Sequence, residues 1–392
     1  QTVTERTLDS VTPAFDLAAG PSVAPIPLTP DAGLGQGVFT VDPSLGSGYA
    51  QQWNFFIERE LTTNLAFEIG YTGSKITHVG IPDTNMNQLT RQQLAQGLPL
   101  LQKVPNPFFG QIPRSSSLGD PTISEAQLQK PYPRFTTVSF FRNNVGNTSY
   151  HALQARLEKR YSNGLSFLAS YTWSKLIDEA SSVFDATLFT GPVANFPVAD
   201  SFNRKLERDV SSGDIPRDFV FSSTYALPIG GRHRFAPRGW AGKFADGWEV
   251  AGILSLQSGL PLAVTQATNF NSFAGFGTQR PDRLSDPALP ASMRGTSEWF
   301  DTAAFAVAPQ FTLGTSSRNP VRGPGYQDLD VSLLKRASLR ERATLEFRAE
   351  CFNLTNTPPL SAPNVVLGTP GFGSITSAGD PRVIQFALKL EF

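Results

Sequence analysis

Nine stretches of the chain place apolar residues at every second position. In "QWNFFIEREL", Trp53, Phe55, Ile57 and Leu61 oppose Gln52, Asn54, Glu58 and Glu60. In "LAFEIGYTGS", Leu65, Phe67, Ile69 and Tyr71 alternate with Ala66, Glu68, Gly70 and Thr72. "LSFLASYTWSK" sets Leu165, Phe167, Ala169, Tyr171 and Trp173 against Ser166, Ser170, Thr172 and Ser174. Comparable rows run through Phe219 to Leu227, Trp248 to Leu256, Leu329 to Leu333 and Leu345 to Cys351. "YHALQARLEKRY" is weaker, through Leu153, Ala155 and Leu157, and the closing "RVIQFALKLEF" aligns Ile384, Phe386, Leu388, Leu390 and Phe392. Period-two alternation sustained over eight to eleven residues predicts β-strands that are long for a globular protein.

The connections between these strands predict their arrangement. Strands near 48–61 and 64–74 are joined by "TTN", those near 148–161 and 164–176 by "SNG", and those near 326–336 and 342–354 by "ASLRE". The stretch from Pro228 to Asp246 is longer and basic, with Arg232, Arg234, Arg238 and Lys243. The other connections (75–146, 178–215, 261–324 and 355–381) are long and rich in Gly, Pro, Ser and Asn. Short and long connections alternate, so an antiparallel meander would gather all tight turns at one end and all long loops at the other. Such loops count against a compact soluble domain. They are the normal plan of an outer-membrane barrel, with short periplasmic turns and long extracellular loops.

A soluble β-sandwich also has alternating strands. Three features favour the antiparallel transmembrane β-barrel. The strands match the roughly 9–11 residues that cross a bilayer at a tilt. Their polar rows carry charge at mid-strand, with Asp328 and Asp330 on one strand and Glu346, Arg348 and Glu350 on the next. Aromatics such as Trp53, Tyr71, Trp173 and Phe219 sit toward the long-loop side, as an interfacial girdle requires. Nine is an odd number, whereas single-chain bacterial barrels have even counts. The expectation is therefore a barrel portion, residues 48–392, preceded by an extracellular loop remnant, residues 1–47, whose leading strand lies upstream.

Composition narrows the chemistry. The 392 residues balance 33 Lys plus Arg against 33 Asp plus Glu, which gives no basic footprint for nucleic acid. Phe is 30 against Met 2, with Gly 33 and Pro 31, a strand-and-turn composition. Cys351 is the single cysteine, so no intrachain disulfide or cysteine zinc cluster is expected. No apolar run reaches the roughly 20 residues of a transmembrane helix. The start, "QTVTERTLDS", lacks the basic and apolar regions of a signal peptide.

No Walker loop, HExxH, GxSxG or CxxC occurs. The expectation is a protein that is not an enzyme, with no catalytic, cofactor-binding or metal-binding residues. "GLGQG" at 33–37 reads as a loop, with no strand before it or helix after it. Asp328, Asp330, Glu346 and Glu350 could be cast as an acid/base set or cation site. They read better as a lumen-facing ladder paired with Arg342 and Arg348. His151 is expected in the girdle and Cys351 in a lipid-facing row. The loop 261–324 carries Phe270, Phe273, Phe276, Trp299, Phe300 and Phe305, of which Trp299, Phe300 and Phe305 are candidate ligand-facing aromatics. Packing of the loop is the favoured alternative for them.

Three stretches, "YAQQWNFFIERELTTNLAFEIGYTGSKITHV", "SYHALQARLEKRYSNGLSFLASYTWSKLID" and "WFDTAAFAVAPQFTLGTSSRNPVRGPGYQDLDVSLLKR", resemble the C-terminal barrel region of Oar-like TonB-dependent transporters. So does "FRAECFNLTNTPPLSAPNVVLGTPGFGSITSAGDPRVIQFALKLEF". The resemblance implies an all-β barrel of about 22 strands with a plugged lumen. It also implies residence in the outer membrane of a Gram-negative bacterium and energised uptake of a bulky nutrient. The TonB–ExbB–ExbD system would act through an N-terminal plug. It further implies that Phe386, Leu388, Leu390 and Phe392 form the signal read by the barrel-assembly machinery. A non-transporting barrel, acting as an adhesin or surface receptor through its loops, is the alternative. A soluble carbohydrate-binding β-protein would instead need its charged rows in water and no lipid-facing belt.

Overall fold

The computed structural model describes residues 31, 33–43, 45–81, 84–140, 143–179, 198–229, 245–340 and 343–392. Nine long strands follow one another in sequence order: β1 (Tyr49–Thr62), β2 (Leu65–Val79), β3 (Gly146–Ser162), β4 (Leu165–Asp178) and β5 (Arg217–Ala226). They continue as β6 (Trp248–Gln257), β7 (Tyr326–Arg340), β8 (Ala343–Phe352) and β9 (Val383–Glu391). Each pairs antiparallel with the next, and the short strand Asp209–Val210 adds to β4. The sheet is open, because β1 and β9 do not pair with each other.

Turn chemistry explains the tight hairpins. Asn163 and Gly164 both take positive φ, 53° and 80°, the geometry of a turn whose twist matches that of the flanking strands. The connection after β7 is shorter than the sequence predicts. Ala337 and Ser338 continue the ladder opposite Leu345 and Thr344, so "ASLR" extends the strand to Arg340. The basic stretch with Arg232, Arg234, Arg238 and Lys243, Arg342, and residues 1–30 of the expected loop remnant lie outside the described residues.

Register carries the alternation across the whole sheet. One row passes through Arg59, Phe67, Leu157, Ala169, Phe221, Leu254 and Leu329 as direct cross-strand partners. Ring pairs stiffen this apolar face, with centroids 5.9 Å apart for Phe167–Phe221 and 6.3 Å for Phe347–Phe386. Cys351 lies in the same face, between Val331 and Ile384. Gly70 and Gly73 make room for aromatic partners, since a Cβ there would meet the rings of Phe56 and Trp53 at 2.1 and 2.4 Å.

The opposite face collects the charge. Every acidic residue of the nine strands lies on it, from Glu58 and Glu68 through Asp218 and Glu249 to Glu391. Arg336 and Arg348 hold Glu346 at 3.1 and 2.8 Å, and Arg348 reaches Glu350 at 3.7 Å. Asp328 and Asp330 differ from the arginine-paired ladder the sequence predicts. Asp328 accepts from the Tyr326 hydroxyl, and Asp330 accepts from the Asn353 amide where the chain leaves β8.

Burial is inverted relative to a water-soluble domain. Ile57, Trp173, Phe386 and Leu388 on the apolar face are 56–71% exposed. Most buried apolar residues, Leu89, Leu94, Leu100, Val264 and Phe300 among them, lie in the long connections. A sheet with this pattern needs an apolar solvent on one side and water on the other. Phe221→Arg, at the centre of the apolar face, is expected to cost about 2–4 kcal/mol of folding into lipid vesicles, and its neighbour Ser222→Arg about 1 or less. Denaturant titration of the two variants reads the difference.

Candidate functional site

The described parts of three long connections interlock at one end of the sheet: 80–81, 84–140 and 143–145 after β2, 179 and 198–216 after β4, and 258–325 after β6. Small apolar cores form within and between the connections. Leu89, Leu94, Leu100 and Ala126 of the first pack against Ala274 and Phe276 of the third. Val264, Phe300, Ala304, Phe305 and Val321 form a second cluster, joined by Phe372 from the connection after β8. Leu34, Ile112, Leu118 and Ile123 form a third.

Buried asparagines replace regular ladders in these connections. Asn87 is fully buried, donates to the Tyr132 and Phe135 carbonyls, and accepts from the Tyr132 amide. Asn271 does the same with the Thr312 carbonyl at 2.6 Å and the Phe311 amide at 2.8 Å. Side-chain amides thus satisfy backbone groups that an irregular loop leaves unpaired.

Charge complementarity joins the connections to one another. Segment 198–214 is acidic at its contact points, and its neighbours present arginines. Arg280, largely buried, binds the buried Glu207 at 2.6 Å, Arg322 binds Asp214 at 2.7 Å, and Arg91 binds Asp200 at 3.1 Å. Arg318 pairs with Asp178 at the end of β4, with both side chains buried. Between Arg318 and Arg322, Asn319 donates its amide to Asp209 at 2.9 Å and its side chain to the Val210 carbonyl at 2.7 Å.

This "RNPVR" clamp fixes Asp209–Pro216 inward, against the polar face of β4. Ser211 donates to the Leu176 carbonyl, Leu176 donates to Asp214, and Ser174 donates to the Ile215 and Pro216 carbonyls. Two clefts lie in this region, and the second borders the folded-in segment. One, of about 290 Å³, lies among the connections and is lined by Arg91, Leu206, Phe276, Gln279, Arg280 and Ser316. The other, of about 280 Å³, lies against the wall between Tyr150, Gln154, Thr172, Asp218 and Ile215. The arginines of the first cleft are already neutralised by Asp200 and Glu207, so it offers hydrogen bonding more than net charge. No group of three or more His, Cys, Asp and Glu residues able to hold a metal occurs among the described residues.

The sequence-derived candidates separate in the structure. Phe300 and Phe305 are 2% and 6% exposed and stack edge-on with each other and with Phe372, so neither faces a ligand in this arrangement. Trp299 is half-buried and donates its indole N–H to the Arg322 carbonyl at 2.9 Å, tying this cluster to the clamp. Phe386, Leu388 and Leu390 stand exposed on the apolar face of β9, with Phe392 just beyond the strand. His151 sits among aromatics as the girdle reading expects, 2.6 Å from the Tyr71 hydroxyl and stacked on its ring. "GLGQG" is a loop whose Leu34 packs inward. The clamp itself, Arg318, Asn319 and Arg322, was missed. Its signal in the sequence is a pair of arginines four apart in one loop and an acid-rich stretch, "ERDVSSGD", in another.

Three variants test the arrangement. Arg318 leaves Nε and Nη1 buried without a partner, so Asp178 carries the compensation of its charge. Asp178→Asn is expected to cost about 3–5 kcal/mol locally. It would expose 198–216 to protease while the strand signal in circular dichroism is unchanged, and Arg318→Met, which leaves the Asp178 carboxylate buried, should do the same. In the first connection, burial pushes the Lys130 ammonium down to about 8. The charged form is therefore penalised in the folded state below that pH, and the penalty is relieved as pH rises from about 8 toward the ordinary lysine range. Lys130→Met should stabilise this connection at pH 7 by on the order of 3 kcal/mol, with the gain shrinking above pH 8, as read by hydrogen exchange.

A family model described as an outer membrane beta barrel domain matches residues 1–385. Among solved structures, the chain is similar to the outer membrane transporter YddB from Escherichia coli, at TM-score 0.42 and 8% identity, over 91% of this chain and 34% of that one. It is also similar to the FrpB iron transporter from Neisseria meningitidis (F3-3 variant), at TM-score 0.35 and 10% identity, over 91% and 33%. The chain spans about a third of the length of either structure. No curated protein matches the sequence.

Proposed function

The chain belongs to the outer membrane β-barrel domain family, and from that premise we propose that its nine strands are wall segments of an energised outer-membrane transporter. The protein resides in the outer membrane. Its apolar face meets lipid, and its acidic face lines an aqueous lumen. The charged ladder around Glu346 and Arg348 needs water on its side, and a wide lumen supplies it. An open sheet edge is intolerable in hydrocarbon, so β1 and β9 are closed by further strands of a larger barrel of about 22. The short turns then face the periplasm and the interlocked long connections face the exterior. Phe386, Leu388, Leu390 and Phe392 engage the barrel-assembly machinery.

The observation that carries the transport reading is the segment Asp209–Pro216, which folds inward over the polar face and is clamped there by arginines from another loop. Such a segment narrows the mouth of the barrel and, through Gly213 and Ile215, borders a cleft against the wall, as a receptor for a captured nutrient requires. The resemblance to Oar-like TonB-dependent transporters supplies the energy source: a plug domain contacting TonB, with ExbB and ExbD. The surface-receptor alternative draws on the same loop assembly without a plug. Site-directed crosslinking of the full-length protein to TonB separates the two. The transporter reading expects an adduct from a segment N-terminal to the barrel. Absence of both a plug and an adduct would move the protein to the receptor class.

A further inference from the structure

On the apolar face, charge is distributed by sign as well as by depth. That face holds no acidic residue in any of the nine strands, yet it carries Lys75, His151, Lys175 and Arg217 at the long-connection end. These four lie on adjacent strands. His151 and Lys175 are direct cross-strand partners, Lys75 is paired with Ser149 two positions from His151, and Arg217 is opposite Trp173 two positions from Lys175. With strands about 4.8 Å apart and about 3.4 Å per residue, the four form a diagonal of roughly 20 Å. His151, Lys175 and Arg217 are exposed, and Lys75 is half-exposed.

Isolated interfacial cations commonly snorkel toward water. At the opposite end of the same face Arg59 is likewise exposed without a partner among the described residues, but two lysines show what snorkelling looks like. There Lys159 donates to Ser162, and Lys335 lies over the Trp248 ring and donates to the Asp246 carbonyl. At the long-connection end, the side chains of Lys75, Lys175 and Arg217 make no hydrogen bond or ion pair among the described residues. The Tyr71 hydroxyl occupies His151 Nδ1 and leaves Nε2 unpartnered among the described residues. Trp53, Tyr71 and Trp173 lie immediately beneath them, 38–58% exposed. The patch is thus three cations without partners among the described residues, with His151 between them, beside an aromatic shelf on the face that meets lipid.

We infer that Lys75, His151, Lys175 and Arg217 bind the phosphate groups of a phosphorylated lipid headgroup in the outer leaflet, with its acyl chains on Trp53, Tyr71 and Trp173. The inference rests on the reading that the long connections face outward. Cations supply the charge complement, and the aromatic rings supply contact at headgroup depth. No acid on that face opposes an anion.

The test uses the full-length protein in phosphatidylcholine micelles, titrated with diphosphorylated lipid A and with its dephosphorylated form. Wild type should prefer the diphosphorylated form by about a hundredfold, from several-fold at each cation. The triple variant K75Q/K175Q/R217Q should lose that preference, and K75R/K175R/R217K should retain it. Equal binding of both forms, or an unaltered preference in the glutamine variant, overturns the inference. Displacement of the lipid by inorganic phosphate at equal phosphate concentration also overturns it, because the site would then be one for free phosphate. Orientation is read separately, through labelling of Ser297→Cys on intact cells with an impermeant maleimide in a Cys351→Ala background. Labelling supports the outward loops. Labelling only after lysis overturns the outer-leaflet placement, whatever the lipid titration shows.

Discussion

The backbone hydrogen-bond ladder of the nine strands is the constraint on which everything else depends. In hydrocarbon an unpaired amide or carbonyl costs several kcal/mol, so a chain that meets lipid must satisfy its backbone internally. The continuous register from β1 to β9 does this for every interior strand. Once the backbone is satisfied, side chains are free to alternate by solvent: Phe221 and Leu254 to one side, Ser222 and Ile253 to the other. The same rule identifies the outer edges of β1 and β9 as the places where the nine strands do not suffice by themselves. Under the proposed reading, further strands complete them.

The long connections obey a different solvent. They bury leucines and phenylalanines as a water-soluble domain does, and they staple irregular backbone with asparagine. They are joined to the wall by ions. The pairs Arg318–Asp178 and Arg280–Glu207 take charge out of water, and Glu207 is held further by the Ala199 amide. One chain therefore contains two hydrophobic organisations of opposite sense, and the inward-folded Asp209–Pro216 segment is where they meet.

The strands were readable in the sequence because a period of two is local: Leu254 declares its face through Leu256 and Val250. Their order and the distinction of short from long connections followed from the same local signals. Boundaries moved where alternation ran into the turn, as at Ala337–Arg340. The loop assembly was not readable in this way. Thr265–Gln266 pairs in parallel with Val366–Leu367, about a hundred residues away, and Gly37–Thr40 pairs with Thr137–Phe140. Arg318 finds an aspartate 140 positions earlier. Such contacts leave composition behind but no period. Phe300 and Phe305 show the consequence: aromatic content favoured packing over a ligand surface, but the partner they pack on, Phe372 from a different connection, had no local signal.

The central claim is that the two faces of this sheet meet different solvents. Spin labels placed singly along β5 and β6, from Phe219 to Tyr225 and from Val250 to Leu256, measure that directly in the full-length protein in lipid. The account predicts that oxygen accessibility peaks at Phe219, Phe221, Leu254 and Leu256. Accessibility to a water-soluble nickel chelate should peak, out of phase, at Val220, Ser222, Ile253 and Ser255. In-phase profiles for the two quenchers, or chelate access at Phe221 and Leu254, would contradict it.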